Sequence, residues 1–310
     1  MEAPLVVAIR FALFADLMML AGLTAFSLYA LKGEERASAG LPPVGPAVAL
    51  SLAGLALSGI GMLALVAAMT GASVLAIDGA VLQEVVGQSA IGAAWIVRMT
   101  AMAVAVAAAL ALRRFPATAR VTLLGASSIA IATLVWSGHA GATEGPAGTV
   151  HRVSDIVHML AAAVWIGGLA AFALLLSPGA AGRPPGQLTL VHRALAQFSR
   201  VGTAAVALIV ASGIVNSLVL MGVPSVGSLT GSLYGRLLLA KLGLFAAMLM
   251  LAGANRWKLT PALAIGIGTG ESASALSALR KSLALEGLAA LAILALVAWL
   301  GTLEPAGTGA

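Results

Sequence analysis

The chain contains no cysteine, which excludes thiolate metal sites and disulfides at the outset. Charge is nearly as scarce. Asp, Glu, Lys and Arg make up 9% of the 310 residues against 61% hydrophobic ones, too little polar surface to coat a soluble globule. No G-x-x-x-x-G-K loop, H-E-x-x-H pair or nucleophile elbow occurs, and the glycines at 265–270 lack the strand context of a phosphate loop. A conventional enzyme is therefore not expected. The net charge of +6 does not point to nucleic acid either, because its basic residues are scattered and have no stacking aromatics among them. The short apolar/polar alternation of a membrane barrel is missing as well.

What remains is a set of long apolar runs rich in Ala, Leu and Gly. A bilayer core of roughly 30 Å takes about 20 apolar residues per helical crossing. The hydropathy predicts crossings near 5–31, 45–70, 90–112, 119–137, 154–177, 195–221, 233–254 and 281–302. Helices satisfy their own backbone in lipid, so the expected fold is an all-α integral membrane protein, a bundle of eight transmembrane helices. The chain reads as one polytopic membrane domain over 1–310, without a repeat relating its halves. The run after Met1 and Glu2 lacks a basic n-region and cleavage site, so it is expected to stay as the first helix.

Orientation follows from Lys and Arg in the short loops. Lys32, Arg36, Arg113, Arg114, Arg120, Arg183, Arg193, Arg200, Arg256, Lys258, Arg280 and Lys281 all fall in alternate connections, which are read as cytoplasmic. The opposite set holds Arg152 and Arg236 beside Asp78, Glu84, Glu144 and Asp155. Both termini are thus expected outside. Within this frame 178–188 and 261–279 read as flexible inner loops, and 72–88 as an outer loop or interfacial turn of helix.

Three of the four histidines cluster around the outer connection between the fourth and fifth spans. His139 lies at the end of the fourth span between Gly138 and Gly141, and His158 about one turn into the fifth, after a plausible cap at Ser154. Asp155 stands three residues before His158, where it could orient an imidazole. An intramembrane ionisable group is by default functional, so His139 and His158 are the primary candidates for metal ligands. His151, Met159 and Glu144 are secondary ones. A His and Met site without thiolates suits copper outside the reducing cytoplasm, and Met62, Met69 and Met99 lie at a similar depth. For any single methionine, core filling is the commoner role. His151 reads as a loop histidine and His192, beside Arg193, as an interfacial one.

The ordered set Ser137, Gly138, His139, Ala140, then Asp155 through His158 to Trp165, Gly167, Gly168 and Leu169, resembles the bacterial copper resistance protein D family. The resemblance continues through Phe198, Ser199, Ser212, Gly213, Asn216, Tyr234, Gly235 and Lys241 to Asn255, Arg256, Pro261, Glu286, Leu300, Gly301 and Thr302. It is strongest over 130–304 and touches the first part only through Arg10 and the hydropathy. It implies copper handling at the bacterial inner membrane, as uptake alongside a small periplasmic copper-binding protein. That partner is expected as a separate chain.

Charges inside the spans complicate an open cation path. At about 1.5 Å of rise per residue, Arg10, Arg98 and Lys241 lie roughly 8–12 Å in from the outer ends, with Asp16 near the midplane and Glu286 toward the inner side. They are expected either to pair structurally, with Asp16 and Asp155 as partners, or to exchange partners during transport. The outer cations would repel a bare ion. Two other readings stand beside transport. One is a b-type haem protein with axial histidines, the other a membrane receptor that accepts copper without moving it.

Overall fold

The computed structural model describes residues 2–39, 41–177, 186–222 and 226–305. Eight of its helices are long and apolar enough to cross a membrane, and no strand occurs among the described residues. They are α1 (Glu2–Tyr29), α2 (Val44–Thr70), α3 (Ala90–Ala111), α4 (Pro116–Ala132), α5 (Gly145–Leu175), α6 (Gln187–Met221), α7 (Leu233–Ala254) and α8 (Ala273–Leu300). A 3-10 turn (Thr133–Ser137) prolongs α4.

Local chemistry fixes several ends. Ser89 and Ser232 cap α3 and α7 by accepting from the Gly92 and Gly235 amides at 2.9 and 3.0 Å. Pro116 occupies the first turn of α4, where a missing amide proton costs nothing. Gly71, at a φ of 66°, closes α2 in the left-handed conformation that favours glycine.

Helix α1 is the centre of the bundle, packed on α2, α4, α5 and α8, with Leu17, Leu20 and Phe26 wholly buried. Its crossing with α5 is set by Gly22 against Gly167. A Cβ on either would collide with the other's backbone, so the two helices touch through their main chains. At its far end the α1 carbonyls need donors, and basic side chains supply them. Arg36 donates to Ser27 O, Leu28 O and Leu31 O at 2.9, 3.0 and 2.7 Å. Arg193 donates to Ala30 O at 3.2 Å and pairs with Glu35. Residues that mark one side in the sequence therefore also close a helix.

The structure departs from the hydropathy at the ends of spans. Helix α5 begins at Gly145, with a proline in its first turn, and so takes in Thr149, His151 and Arg152, which dilute the apolar signal. His151 is thus a helical residue rather than a loop one, and Ser154 is interior rather than a cap. Beyond α7 a π turn (Asn255–Leu259) leads into a further helix (Thr260–Thr269), and α8 already starts at Ala273, so the expected loop 261–279 is helical except at 270–272. The stretch 72–88 holds a 3-10 turn (Val74–Ala76) and a helix (Gly79–Gln88) capped by Asp78. The flexible loop expected at 178–188 lies, over 178–185 and with Arg183, outside the described residues.

Packing is uneven. Half of the apolar window of α4 and of α5 is buried, against 11% for α6 and α7. Helix α6 leans on α5 and α7 on α8, and the space between these pairs holds cavities.

Candidate functional site

A cavity of about 200 Å³ opens where α1, α5 and α7 begin and α4, α6 and α8 end. His139, His151 and His158 all line it, together with Arg10, Asp155, Met159, Asn216, Tyr234 and Lys241. Helical spacing delivers this set. Arg10, Phe14 and Met18 follow one another at four-residue steps on α1. His151, Asp155 and Met159 do the same on α5, with His158 three residues after Asp155 on the same face, and α6 presents Gly213, Asn216 and Ser217.

Two of the imidazole tautomers follow from their partners. His158 Nδ1 lies 3.0 Å from Ser212 Oγ, whose single hydrogen is given to the Leu208 carbonyl at 2.5 Å. The hydroxyl can then only accept, so Nδ1 carries the proton and Nε2 keeps its lone pair. His151 Nδ1 is 2.9 Å from Thr143 Oγ1, which also reaches His139 O at 3.1 Å; the one hydroxyl hydrogen serves either acceptor, so this contact does not select the tautomer of His151. His139 Nε2 meets a carbonyl, Leu300 O, at 3.2 Å, and a carbonyl only accepts. Its Nδ1 is the unprotonated nitrogen. His139 and His158 are thus each held by one N–H and left with one basic nitrogen, the arrangement metal-binding histidines require.

Asp155 is the acid among the lining residues. It accepts from Asn216 Nδ2 at 3.2 Å rather than from His158. Arg10 and Lys241 are the permanent cations that act on it. Arg10 Nη1 donates to Ser137 O at 2.7 Å, and its guanidinium lies where a Cβ on Gly301 would stand, so that position has room for it only as glycine. Two permanent cations face one carboxylate, so the cavity carries no excess negative charge to attract a bare cation.

The remaining candidates lie elsewhere. Asp16 points to α2, where Gly54 leaves room for its carboxylate, and Oδ2 has no hydrogen-bond partner. Arg98 donates weakly to Thr133 Oγ1 at 3.4 Å. Neither lines the histidine cavity. No ion pair within 4.0 Å involves Arg10, Asp16, Arg98, Asp155 or Lys241 among the described residues. Arg10, Asp155 and Lys241 thus act on one another at longer range, while Asp16 and Arg98 have no charge partner among the described residues. Glu144 is exposed at the N-cap of α5 and outside the cavity. Met62 packs near Trp95, Met69 is 61% exposed and Met99 is off the cavity. Among the described residues no three His, Asp or Glu side chains come close enough to hold one metal ion together.

Reading the sequence for ligands passed over Ser212, Asn216 and Tyr234 as site residues, along with Met18 and Met221. The signal for the first two was present, since positions 212 and 216 are one helical turn apart. That their face meets α5 is a tertiary fact. Ser154 Oγ donates to Ser212 O at 3.0 Å and fixes that register.

Residues 1–149 match the family described as Copper resistance protein D-like, N-terminal domain, and 192–300 the one described as Copper resistance protein D. The chain is 43% identical over 310 residues to "Copper resistance protein D" of Pseudomonas syringae pv. tomato, covering 98% of each. It is 38% identical over 125 residues to "Copper transport protein CutJ" of Bacillus subtilis (strain 168), 40% of this chain and 22% of that protein. It is 37% identical over 124 residues to "Inner membrane protein YebZ" of Escherichia coli (strain K12), 40% of each. No solved structure matches.

Proposed function

We propose, for a chain that belongs to the copper resistance protein D family, that it takes copper from the periplasmic side of the bacterial inner membrane and passes it toward the cytoplasm. Both termini and the histidine cavity then face the periplasm, and the basic loops the cytoplasm. The names of the relatives, a copper transport protein and an inner membrane protein among them, support copper as cargo and the inner membrane as its place.

One observation carries the reading. Three imidazoles line one cavity, and two of them are fixed through an N–H that leaves His158 Nε2 and His139 Nδ1 as basic nitrogens. Imidazole and thioether suit copper, so His139 and His158 are read as the principal ligands and His151 and Met159 as secondary ones, and gathering three of these groups on one ion requires the side chains to move from the positions they hold here. Asp155 acts on charge balance through Arg10 and Lys241 rather than as a ligand. Because those cations oppose a free ion, copper arrives coordinated, handed over by a small periplasmic copper-binding protein. The volume of the histidine cavity, about 200 Å³ against the roughly 300–1,000 Å³ of ordinary cofactor sites, favours an ion over a haem.

Purified native and His158→Ala proteins, equilibrated with copper under reducing and oxidising conditions, test the site. The native chain is expected to bind copper tightly and the variant to lose that binding while keeping its helical content. Equal stoichiometry and affinity would remove His158 from the site. Tight binding without uptake into oriented proteoliposomes would replace transport by the receptor reading.

A further inference from the structure

Three cavities follow one another along α8. Val297 and Leu300 line the histidine cavity, Ala290 and Ile293 a middle one of about 440 Å³, and Leu283 and Glu286 a third of about 370 Å³ toward the opposite end. The middle cavity shares His158 and Lys241 with the first and Trp165 with the third. From Leu300 to Glu286 the helix rises roughly 21 Å.

Glu286 is 1% exposed. One carboxyl oxygen, Oε1, accepts from Asn255 Nδ2, and that is its sole hydrogen bond among the described residues. Asn255 is the first residue of the π turn that widens α7, a feature that recurs at functional sites. Its own Oδ1 has no partner, and neither does Ser282 Oγ or Trp165 Nε1. The pair is a polar island beside an apolar cavity.

The groups facing it are few. The π turn presents Arg256, whose guanidinium donates to Thr203 Oγ1 at 2.7 Å and lies over Trp257, so it is engaged elsewhere. Helix α5 presents Trp165, α6 presents Ser199 and Thr203, and the helix after the π turn presents Thr260. Helix α1, also packed on α8, carries Tyr29 toward this end. On α8 itself Lys281 is exposed and roughly 8 Å of rise away, and Arg280 is farther.

A buried carboxyl without a cation beside it either carries a proton or takes a metal ion. The lining of this cavity has no imidazole and no thioether, so copper has no preferred ligand there. We propose that Glu286, held by Asn255, is a proton-binding site that takes up and releases one proton in each transport cycle. Hydronium in the solvent at the end of the bundle near Arg256 gives its proton to the carboxylate, leaving the neutral acid and water, and water takes the proton back on return. The inference rests on the transport reading for its coupling, but not for the site itself.

Infrared difference spectra of the protein in nanodiscs, taken between acid and alkaline pH, read the site without copper. The native protein is expected to show a protonated-carboxyl band that Glu286→Gln lacks and that Asp16→Asn and Asp155→Asn keep. A spectrum unchanged by Glu286→Gln would overturn the proposal. Where that variant fails to fold, Asn255→Ala leaves the carboxyl without its donor and must shift the band; an unmoved band overturns it equally. In proteoliposomes with a pH-sensitive dye inside, native copper uptake is expected to move protons, and Glu286→Gln to lose at least about ten-fold of that movement. Copper uptake with no proton movement would overturn the coupling. A native protein that moves no copper would overturn the transport reading, while the infrared band still decides the site.

Discussion

Ser212 does as much for the candidate site as the histidine it touches. By spending its hydrogen on Leu208 O it obliges His158 Nδ1 to donate, and so sets which nitrogen is free. Ser212→Ala removes that acceptor, and partners of this kind are worth about 10–100-fold in metal affinity. Titration of the purified variant is expected to show a loss in that range with the fold intact. His192→Ala, on α6 near the opposite end, is expected to leave copper affinity unchanged in the same titration. Gly213 adds a check on geometry. A Cβ there would lie 3.5 Å from His158 Cε1, an ordinary contact, so Gly213→Ala is expected to fold and bind, while Gly213→Leu displaces the ring and weakens binding.

Between elements, the α1 and α5 crossing is the joint on which the cavity depends, because those helices carry Arg10 on one side and His151, Asp155 and His158 on the other. Gly22 and Gly167 meet main chain to main chain. A side chain introduced there presses on backbone, which has no rotamer to change. Gly167→Leu is therefore expected to exceed the about 1–3 kcal/mol typical of overpacking, seen as a large fall in unfolding temperature in detergent together with loss of copper binding. Gly59 on α2 has open space at its Cβ position, so Gly59→Ala is the control and is expected to be neutral or stabilising by up to about 1 kcal/mol.

For the whole molecule the prediction concerns sidedness and the deep charges. A periplasm-dependent reporter enzyme joined after residue 310 is expected to be active, and the same reporter joined in the basic connection at 113–116 inactive; the reverse pattern would invert the bundle and the direction of transport with it. Lys241 lines both the histidine cavity and the middle one, whereas Asp16 faces Gly54 on α2. Lys241→Met is expected to alter copper uptake in oriented proteoliposomes, and Asp16→Asn to leave uptake close to native once the amount of folded protein is matched.

The sequence by itself determined the solvent and the class of fold. With 61% hydrophobic and 9% charged residues in long runs, the chain has eight helices for a bilayer because each satisfies its own backbone there, an effect local in sequence. It also supplied His139 and His158, since polar groups in apolar runs stand out. It did not supply the start of α5, because Thr149, His151 and Arg152 look like loop residues until their partners across the bundle are known. Nor did it tell that Arg10, Asp155 and Lys241 share a cavity while Asp16 and Arg98 do not. All five are charges in the outer part or the middle of apolar runs, and depth is what a sequence records. Which face of a helix meets which neighbour depends on rotation about its axis. Here contacts remote in sequence fix that rotation, Gly22 on Gly167 and Ser154 on Ser212 among them, and only the folded chain contains them.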